Sequence, residues 1–385
     1  MQNTKPNILV FIDWFLPAYK AGGPIQSVRN IVEQLSASYN FFIVTSDADI
    51  DASLDIPNAD KNRWIQKEVY QVIYLDTTHQ TGSFYKSLFS EQAIEVIYIN
   101  SLFSNKFSIL PLKTFSSSSS QTKIVLAPRG MLGKGALAIK PLKKKIYLRL
   151  FKLFGWHKRV TWHATAKTEK NEIENKFGNK VRILTASNLS QKSSNNLQIK
   201  DKAKHQLNVF FLSRISYKKN LRSAIEVLKK VDASCRIQFT IIGPLEEKDY
   251  WDVCETELEK LPQHIQYKAL GAVPNEKIPE LLNHQHVLFL PTRHENFGHV
   301  IVEAWQNGCL TLISDQTPWV DLEPKKIGVD IPLAEEDKFK NKLEMFAAMD
   351  QAEFNTWSSN AKDYAETITN DKALIEQYHE IFKPI

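Results

Sequence analysis

Two glutamates eight positions apart, Glu295 and Glu303, lie on either side of a predicted loop-to-helix junction. The run 286–291 before them is apolar, as in a short buried strand, and apolar residues after them recur at helical spacing. A lone pair of glutamates at this spacing would more often be two surface residues. Because the pair brackets a helix start, where backbone N–H groups and the helix dipole attract phosphate, we expect a site for a nucleotide sugar.

The Asn-Phe-Gly turn between the two glutamates could hold a diphosphate against its backbone, and Gly298 permits close approach. Glu295, in the loop, would face the group attached to the phosphates. Glu303, about two turns along the helix, could accept hydrogen bonds from ribose hydroxyls. The predicted donor-binding residues of this segment are Asn296, Phe297, Gly298, His299 and Glu303.

Two cations, Arg214 and Lys219, follow the first predicted strand of the second half of the chain. They could neutralise the charge that develops on a departing diphosphate. The alternative is a pair of solvated cations at a helix start. A helix N-terminus is an unfavourable place for uncompensated positive charge, so we expect an anion to be shared there.

A Gly22-Gly23 pair followed by Pro24 stands between the first predicted strand and the first predicted helix. Proline is accepted at the start of a helix, and two glycines could bring bare backbone amides against a phosphate. Taken alone, such a turn is more often an ordinary loop. The spacing does not match GxGxxG, so the sequence does not support a nicotinamide dinucleotide site.

Strand-like apolar runs alternate with helical patterns along both halves of the chain. The predicted strands are 8–12, 41–45, 72–75, 96–99, 123–127, 160–163 and 181–184 in the first half, and 208–212, 238–242, 265–268, 286–290, 310–313 and 327–330 in the second. Continuous apolar strands separated by helices predict parallel sheets covered on both faces. We therefore expect an α/β protein with two Rossmann-like domains, whose strand carboxyl ends face one cleft.

The length of 385 residues also favours two domains. We place a polar linker at 191–204, with an N-terminal domain at 1–190 and a C-terminal domain at 205–370. The serine-rich run 116–120 is predicted to be an exposed loop.

The composition, 43% hydrophobic and 24% charged, is that of a globular protein, and no apolar run approaches the length needed to span a bilayer. No signal-peptide pattern is seen, so we expect a cytoplasmic protein, peripheral at most on the inner face of the cell membrane. The three cysteines have neither CxxC spacing nor an even number, and we expect them in the core.

These motifs together resemble those of the retaining glycosyltransferases of family 4, which have the two-domain GT-B fold. The family's Glu-x7-Glu signature corresponds to Glu295 and Glu303, its Arg-x4-Lys to Arg214 and Lys219, and its Gly-Gly turn to Gly22-Gly23. The resemblance covers nearly the whole chain. It implies that Glu303 binds the nucleotide ribose, that Glu295 contacts the donor sugar, and that Arg214 and Lys219 hold the diphosphate. It also implies that the final helix, within 371–385, packs back on the first domain.

Arg129 stands where many family members carry a histidine, in a Pro-Arg-Gly-Met-Leu sequence that resembles a subset of the family. Because arginine stays protonated near neutral pH, its expected role is electrostatic, toward donor phosphate or acceptor. His163, at the end of the next predicted strand, is a second candidate, and a buried structural histidine is an equal alternative.

The resemblance implies front-face displacement with retention, in which the leaving phosphate oxygen takes the acceptor's proton. No Asp-x-Asp motif or metal-ligand cluster is seen in the sequence, so we expect neither a metal nor a cofactor beyond the nucleotide-diphosphate sugar. The expected reaction moves a hexose to a glycan or lipid-linked acceptor in bacterial surface polysaccharide synthesis. Two alternatives stay open: a GT-B nucleotide-sugar 2-epimerase, and a non-catalytic module that binds glycan or nucleic acid.

The segment 140–159 has eight Lys or Arg residues and no acid. Its predicted helix carries an apolar stripe formed by Leu142, Ile146, Leu150 and Leu153. Such a helix could lie on anionic phospholipid, or it could pack its stripe on the first domain with the cations in solvent. The sequence favours neither.

Overall fold

The computed structural model describes residues 5–50, 54, 56–116, 122–192 and 199–385. The chain forms two compact units: the first comprises Met1–Leu189 and Asp371–Ile385, and the second comprises Ser190–Asn370. Each unit has its own parallel β-sheet with helices packed against it.

The sheet of the first unit has eight strands. These are β1 (Asn7–Phe11), β2 (Asn40–Ser46), β3 (Ile65–Gln66), β4 (Gln71–Leu75), β5 (Val96–Asn100), β6 (Lys123–Ala127), β7 (Thr161–Ala164) and β8 (Arg182–Thr185). Their order is β3-β4-β2-β1-β5-β6-β7-β8, and every pair is parallel except β3 with β4. The sequence missed β3 because a two-residue strand has no alternation to detect. The prediction of a purely parallel sheet is wrong at this one edge.

The sheet of the second unit has six strands, all parallel. These are β9 (Gln206–Leu212), β10 (Arg236–Ile242), β11 (Ile265–Ala269), β12 (Val287–Leu290), β13 (Leu310–Ser314) and β14 (Gly328–Ile331). The order β11-β10-β9-β12-β13-β14 is that of a Rossmann fold. The order of strands reverses between β9 and β12, which is where open α/β sheets place their ligands.

Helices connect the strands of both units. The first unit has α1 (Gly23–Leu35), α2 (Gly82–Glu91), α3 (Leu110–Phe115), α4 (Lys134–Ala138), α5 (Pro141–Leu153), α6 (Trp156–Arg159), α7 (Lys167–Phe177) and α14 (Lys372–Phe382). The second has α8 (Leu221–Leu228), α9 (Lys248–Leu258), α10 (Ile278–Leu282), α11 (His299–Gln306), α12 (Glu336–Ala348) and α13 (Gln351–Thr369). Short turns at Asn58–Asp60 and Asn275–Lys277 are 3-10 helical, and Asn105–Ile109 is a π-helical turn.

The last helix, α14, belongs to the first unit. Its apolar side, including Tyr378 and Phe382, is buried in the same core as the strands β1, β2 and β5. The Lys123 Nζ at the start of β6 donates to the carbonyl oxygens of Glu380 and Lys383, at 2.9 Å each. Apolar packing and hydrogen bonds from the Lys123 side chain therefore both hold α14 on this sheet.

The segment that the sequence suggested as a linker is partly built into the second unit. Within 191–204, residues 193–198 lie outside the described residues, as do 117–120 of the serine-rich run. Lys200 and Lys202 are buried, and the Lys202 Nζ donates to the carbonyl oxygens of Ala347 and Met349, at 2.9 Å each. The described part of this segment thus belongs to the second unit, and Lys202 caps the end of α12.

The three cysteines are buried and unpaired, as the sequence predicts. Among the described residues, no helix has the length and apolar character that crossing a bilayer requires. The helix α5 buries Leu148 and Phe151 against the first unit. The predicted stripe of Leu142, Ile146, Leu150 and Leu153 lies on a different face of this helix, and that face is exposed. The alternative in which the stripe packs on the first domain is therefore wrong.

Candidate functional site

The loops after β9 and β12 meet, because these strands lie side by side where the strand order reverses. Lys219 lies in the first loop and Glu295 in the second. The Lys219 Nζ donates a hydrogen bond to Glu295 Oε2, and both side chains are largely buried. Two residues that the sequence identified separately are thus directly paired.

The surroundings of Glu295 favour its ionised form. Burial raises the pKa of the carboxyl, but the Lys219 ammonium, the hydrogen bond that it donates and the charge of Lys218 outweigh burial and hold the pKa below its ordinary value. The Asn296 N–H also donates to Glu295 Oε1, at 3.1 Å. Glu295 is therefore a carboxylate at neutral pH, suited to accept hydrogen bonds from hydroxyl groups.

Lys219 immediately precedes Asn220, the N-cap residue of α8. A helix N-terminus carries partial positive charge, which disfavours an adjacent cation. The Glu295 carboxylate supplies the compensating negative charge within the protein itself. A phosphate that binds at this point would either share Lys219 with Glu295 or take the place of the Glu295 carboxylate.

Further contacts fix the two loops to each other. The Arg293 N–H donates to the Lys218 carbonyl oxygen at 2.8 Å, and the Asn220 Nδ2 donates to the Pro291 carbonyl oxygen at 2.9 Å. The Arg293 Nη2 donates to Asn220 Oδ1 at 3.2 Å, and its guanidinium lies 4.3 Å from the centre of the Tyr217 ring. These contacts hold the two loops, and with them the Lys219–Glu295 pair, in a fixed arrangement.

The helix α11 begins at His299, where the sequence predicts a helix start, and Gly298 is its N-cap residue. Gly298 has a φ of 80°, and a Cβ there would lie 2.7 Å from Ile301 Cδ1 and 3.1 Å from Glu295 Cγ. The backbone conformation favours glycine, and an added Cβ would also have to displace the Ile301 and Glu295 side chains. Glu303 lies one turn inside the helix, not two as the sequence suggested, because the helix begins only at His299, and it is half-buried.

Aromatic packing holds the turn that leads into α11. Phe297 is buried, its ring centre is 5.4 Å from that of Trp319 and 4.8 Å from that of His299, and the Trp319 Nε1 donates to its carbonyl oxygen. Trp319 in turn contacts Trp305 of α11, with ring centres 5.3 Å apart. The Phe297 side chain is thus an anchor, and any contact that this residue makes with a donor would come from its backbone.

Arg214 is not part of the Lys219–Glu295 pair. Its Nη1 donates to Glu246 Oε1, and both side chains are partly exposed. A half-exposed pair of this kind is weak and exchanges readily with solvent. Arg214 is therefore free to turn toward another anion at little cost, whereas Lys219 is fixed.

The Gly22-Gly23 turn of the first unit leads into α1, as the sequence predicts. Gly22 is the N-cap residue with a φ of 65°, and Pro24 occupies the first turn. No heavy atom lies within 4 Å of a Cβ built on either glycine. The open space beside these two backbones is compatible with the predicted approach of a ligand.

Arg129, the second residue after β6, has a φ of 56° and a guanidinium held by three acceptors. Its Nε donates to Asn100 Oδ1 at 2.7 Å, its Nη1 to Asn188 Oδ1, and its Nη2 to the Tyr98 hydroxyl at 2.8 Å. All three acceptors are neutral, so these bonds orient the guanidinium without cancelling its charge.

His163 is fully buried beside this cluster. Its Nε2 lies 2.9 Å from the Ala186 carbonyl oxygen, which only accepts, so Nε2 carries the proton and Nδ1 accepts from the Tyr98 hydroxyl at 2.9 Å. Burial, with the Arg129 charge, lowers the pKa of His163 to about 3. Both ring nitrogens are engaged within the protein. The sequence left open whether His163 is a site residue or a buried structural histidine, and its burial favours the structural role.

Sequence reasoning missed the residues that hold these groups. Around Arg129 they are Tyr98, Asn100 and Asn188. Around Arg214, the Lys219–Glu295 pair and the start of α11 they are Asn220, Glu246, Arg293 and Trp319. Asn100 directly ends β5, and a polar residue at a strand's carboxyl end is a signal that could have identified it. The other six have no local pattern. Within the described residues, no group of three or more His, Cys, Asp or Glu could hold a metal ion.

Residues 192–363 match the family model described as "Glycosyl transferases group 1", which covers most of the second unit. No curated protein sequence is significantly similar to the chain.

Solved structures resemble the chain over nearly its full length. Sucrose-phosphate synthase from Thermosynechococcus elongatus has 13% identity and a TM-score of 0.71, covering 99% of this chain and 98% of its own. HepE from Anabaena, in complex with UDP and glucose, has 14% identity and a TM-score of 0.70, covering 99% and 100%. WaaG, a glycosyltransferase involved in lipopolysaccharide biosynthesis, has 12% identity and a TM-score of 0.61, covering 98% and 99%. The chain therefore has the GT-B fold.

Proposed function

We propose that the protein is a retaining glycosyltransferase, which moves a hexose from a nucleotide-diphosphate sugar to a glycan or lipid-linked acceptor. The Lys219–Glu295 pair, at the carboxyl edge of β9 and β12, is the observation that carries the proposal. It joins one group suited to a diphosphate with one suited to sugar hydroxyls, inside a segment that matches a glycosyltransferase family model. The second unit would bind the donor and the first the acceptor.

We further propose that the donor is a UDP-hexose. Solved structures of the similar HepE contain UDP-glucose, or UDP and glucose. In this chain, Glu303 would accept hydrogen bonds from the ribose, the start of α11 would hold the diphosphate, and Glu295 would contact the hexose. The Gly22-Gly23 turn of the first unit would offer its backbone amides to a phosphate group.

The proposed chemistry is front-face displacement. The bond between the sugar's anomeric carbon and the diphosphate oxygen breaks as the acceptor oxygen attacks from the same face, and the leaving oxygen takes the acceptor's proton. Lys219, and Arg214 if it leaves its partly exposed pair with Glu246, would offset the charge that grows on the diphosphate, without a metal ion. Arg129, whose guanidinium is oriented by neutral acceptors, would add positive potential for donor phosphate or acceptor.

The setting that we propose is the synthesis of a bacterial surface polysaccharide on the cytoplasmic side of the membrane. The similarity to WaaG, which acts in lipopolysaccharide biosynthesis, supports this class of acceptor. A lipid-linked glycan would present its sugar next to the bilayer.

Calorimetry with UDP, GDP, ADP and their hexose conjugates tests the donor assignment. We expect binding of UDP and a UDP-hexose in excess EDTA, and sugar transfer to an acceptor glycan that Mg²⁺ does not increase. Absence of binding to every nucleotide would exclude the proposal, and strict dependence on Mg²⁺ would exclude the role given to Lys219 and Arg214. Release of an altered sugar without an acceptor would favour the 2-epimerase.

A further inference from the structure

The helix α5 has two apolar faces on opposite sides. Successive residues of an α-helix turn by about 100°, which places Leu142, Ile146, Leu150 and Leu153 within about 80° of one another. Leu148 and Phe151 point to the other side, and these two are the residues buried against the first unit. The helix is thus docked through one apolar face while the other faces outward.

The outward face is exposed to solvent throughout its length. Leu142 is 70% exposed, Ile146 50%, Leu150 42% and Leu153 78%. Ile139 before the helix and Phe154 after it are exposed large hydrophobic residues as well. We call these six residues the α5 patch. Exposed apolar residues that share one face mark an interaction site, whereas apolar residues exposed singly need no explanation.

Cations border the patch on both sides. By the same helical angles, Lys143 lies along one border, and Lys145 and Arg149 lie along the other; all three are exposed. Lys144 and Lys152 lie on the protein side, with their ammonium groups 5.0 Å from the Phe103 ring centre and 5.7 Å from the Phe177 ring centre.

The whole segment 140–159 contains no acid. An apolar stripe between two rows of cations is the arrangement that suits a surface with an apolar interior and a negatively charged outer layer. A second copy of this chain would bring the same positive charges together, which like-charge repulsion disfavours. An anionic phospholipid bilayer matches both the apolar and the charged parts of the patch.

We propose that α5 docks the protein on anionic phospholipid, with the α5 patch among the acyl chains and Lys143, Lys145 and Arg149 at the headgroups. The helix lies in the plane of the interface, because the first unit remains attached to its opposite side. The proposal goes beyond the transferase assignment and does not depend on it, since docking requires neither donor nor acceptor.

Vesicle sedimentation of the full chain tests this docking. We expect wild-type protein to sediment with vesicles of phosphatidylcholine and phosphatidylglycerol, much less with phosphatidylcholine alone, and less as salt is raised. Lys143→Gln/Lys145→Gln/Arg149→Gln should weaken binding by about fivefold per charge, or roughly 100-fold. The matched control, Lys86→Gln/Lys113→Gln/Lys180→Gln, removes three exposed lysines of the same unit and should bind at least tenfold more tightly than the α5 variant.

Replacing Leu142, Ile146, Leu150 and Leu153 by serine should abolish sedimentation while leaving the thermal midpoint unchanged, because these side chains are exposed. Val253→Ser, at an exposed position of the second unit, is its control. A dimer of the wild type that this stripe variant converts to a monomer would overturn the proposal in favour of self-association. Equal binding to neutral and anionic vesicles would overturn it also.

A site-specific fluorophore gives a readout that does not depend on removing the patch. The three native cysteines are buried, so an environment-sensitive dye attached to Leu150→Cys labels one surface position. Its emission should shift to the blue on anionic vesicles, and the same dye at Val253→Cys should not respond. No shift at position 150 would overturn the proposal even if nucleotide binding is intact. A shift without any nucleotide binding would leave docking in place and remove only the transferase assignment.

Discussion

Lys219 and Glu295 form a buried ion pair although 76 positions of the chain separate them. The pair connects the loop after the first strand of the second sheet with the loop after its neighbour β12. Its members have different expected tasks, since an ammonium suits a phosphate and a carboxylate suits sugar hydroxyls.

Glu295→Gln should lower the rate of sugar transfer by about 100-fold while leaving UDP affinity unchanged or higher. The rate falls because the proposed contact of the carboxylate with the sugar is lost. UDP affinity does not fall, because loss of the carboxylate frees Lys219 for phosphate. The measurements are steady-state transfer kinetics and UDP calorimetry. Glu257→Gln, which breaks the Lys229–Glu257 pair of similar exposure, is the control and should keep full activity. Parallel losses of UDP affinity and rate would contradict a role confined to the sugar.

Glu303→Gln should weaken UDP and UDP-hexose equally, by about 10- to 100-fold, because a hydrogen bond to a charged acceptor contributes about 1.5–3 kcal/mol. Calorimetry measures the dissociation constants of UDP and UDP-hexose for the variant and the wild type. Glu255→Gln on α9 serves as the control for loss of one helical carboxylate. A variant that discriminates between UDP and UDP-hexose would assign Glu303 to the sugar instead.

Arg129→Lys should destabilise the first unit by about 2 kcal/mol, because an ammonium cannot reach the three acceptors that the guanidinium fork joins. Urea unfolding measures the change. Arg63→Lys, at an exposed surface pair, should have no comparable effect. An unchanged unfolding midpoint for Arg129→Lys would mean that Tyr98, Asn100 and Asn188 do not depend on this side chain.

His163 should make the first unit sensitive to acid. Its pKa is about 3 in the folded protein, because burial and then Arg129 oppose its charge, and about 6.5 in the unfolded chain. As the pH falls below about 6.5, the unfolded chain binds a proton that the folded protein does not, so the free energy of unfolding decreases until the pH reaches about 3.

The stability advantage of wild type over His163→Gln should therefore be largest above pH 6.5 and shrink by a few kcal/mol on acidification. Unfolding curves recorded from about pH 7.5 to about pH 4.5 measure this difference. His284→Gln, at an exposed histidine, should show no such trend. A constant difference across the pH range would show that His163 titrates normally in the folded protein.

Gly23→Ala should leave stability unchanged or slightly higher, because the added Cβ meets no atom within 4 Å and alanine favours a helix. If a diphosphate approaches this backbone, the same change should weaken donor binding by about tenfold. Calorimetry and thermal unfolding of the two proteins supply the data. Gly135→Ala in α4, equally uncrowded, controls for the substitution itself, and equal donor affinity of all three proteins would remove the turn from the site.

Most regular elements follow from local patterns. The apolar runs predict thirteen of the strands to within two or three residues, and periodicity predicts the starts of α1, α8, α11 and α14. Strands that are buried on both faces consist of continuous apolar residues, and such runs can be recognised in the sequence. β3, at a sheet edge and two residues long, leaves no such trace.

The sequence by itself determined the types of residue that could hold a phosphate or a sugar, and the strand ends near which they occur. Only the tertiary structure decided that Lys219 bonds to Glu295 while Arg214 bonds to Glu246, that both nitrogens of His163 are engaged, and which face of α5 is buried. These outcomes depend on contacts between distant segments, which strand order and packing create. A pattern of apolar and polar residues records that a face is apolar, but not which of two apolar faces a neighbouring element covers.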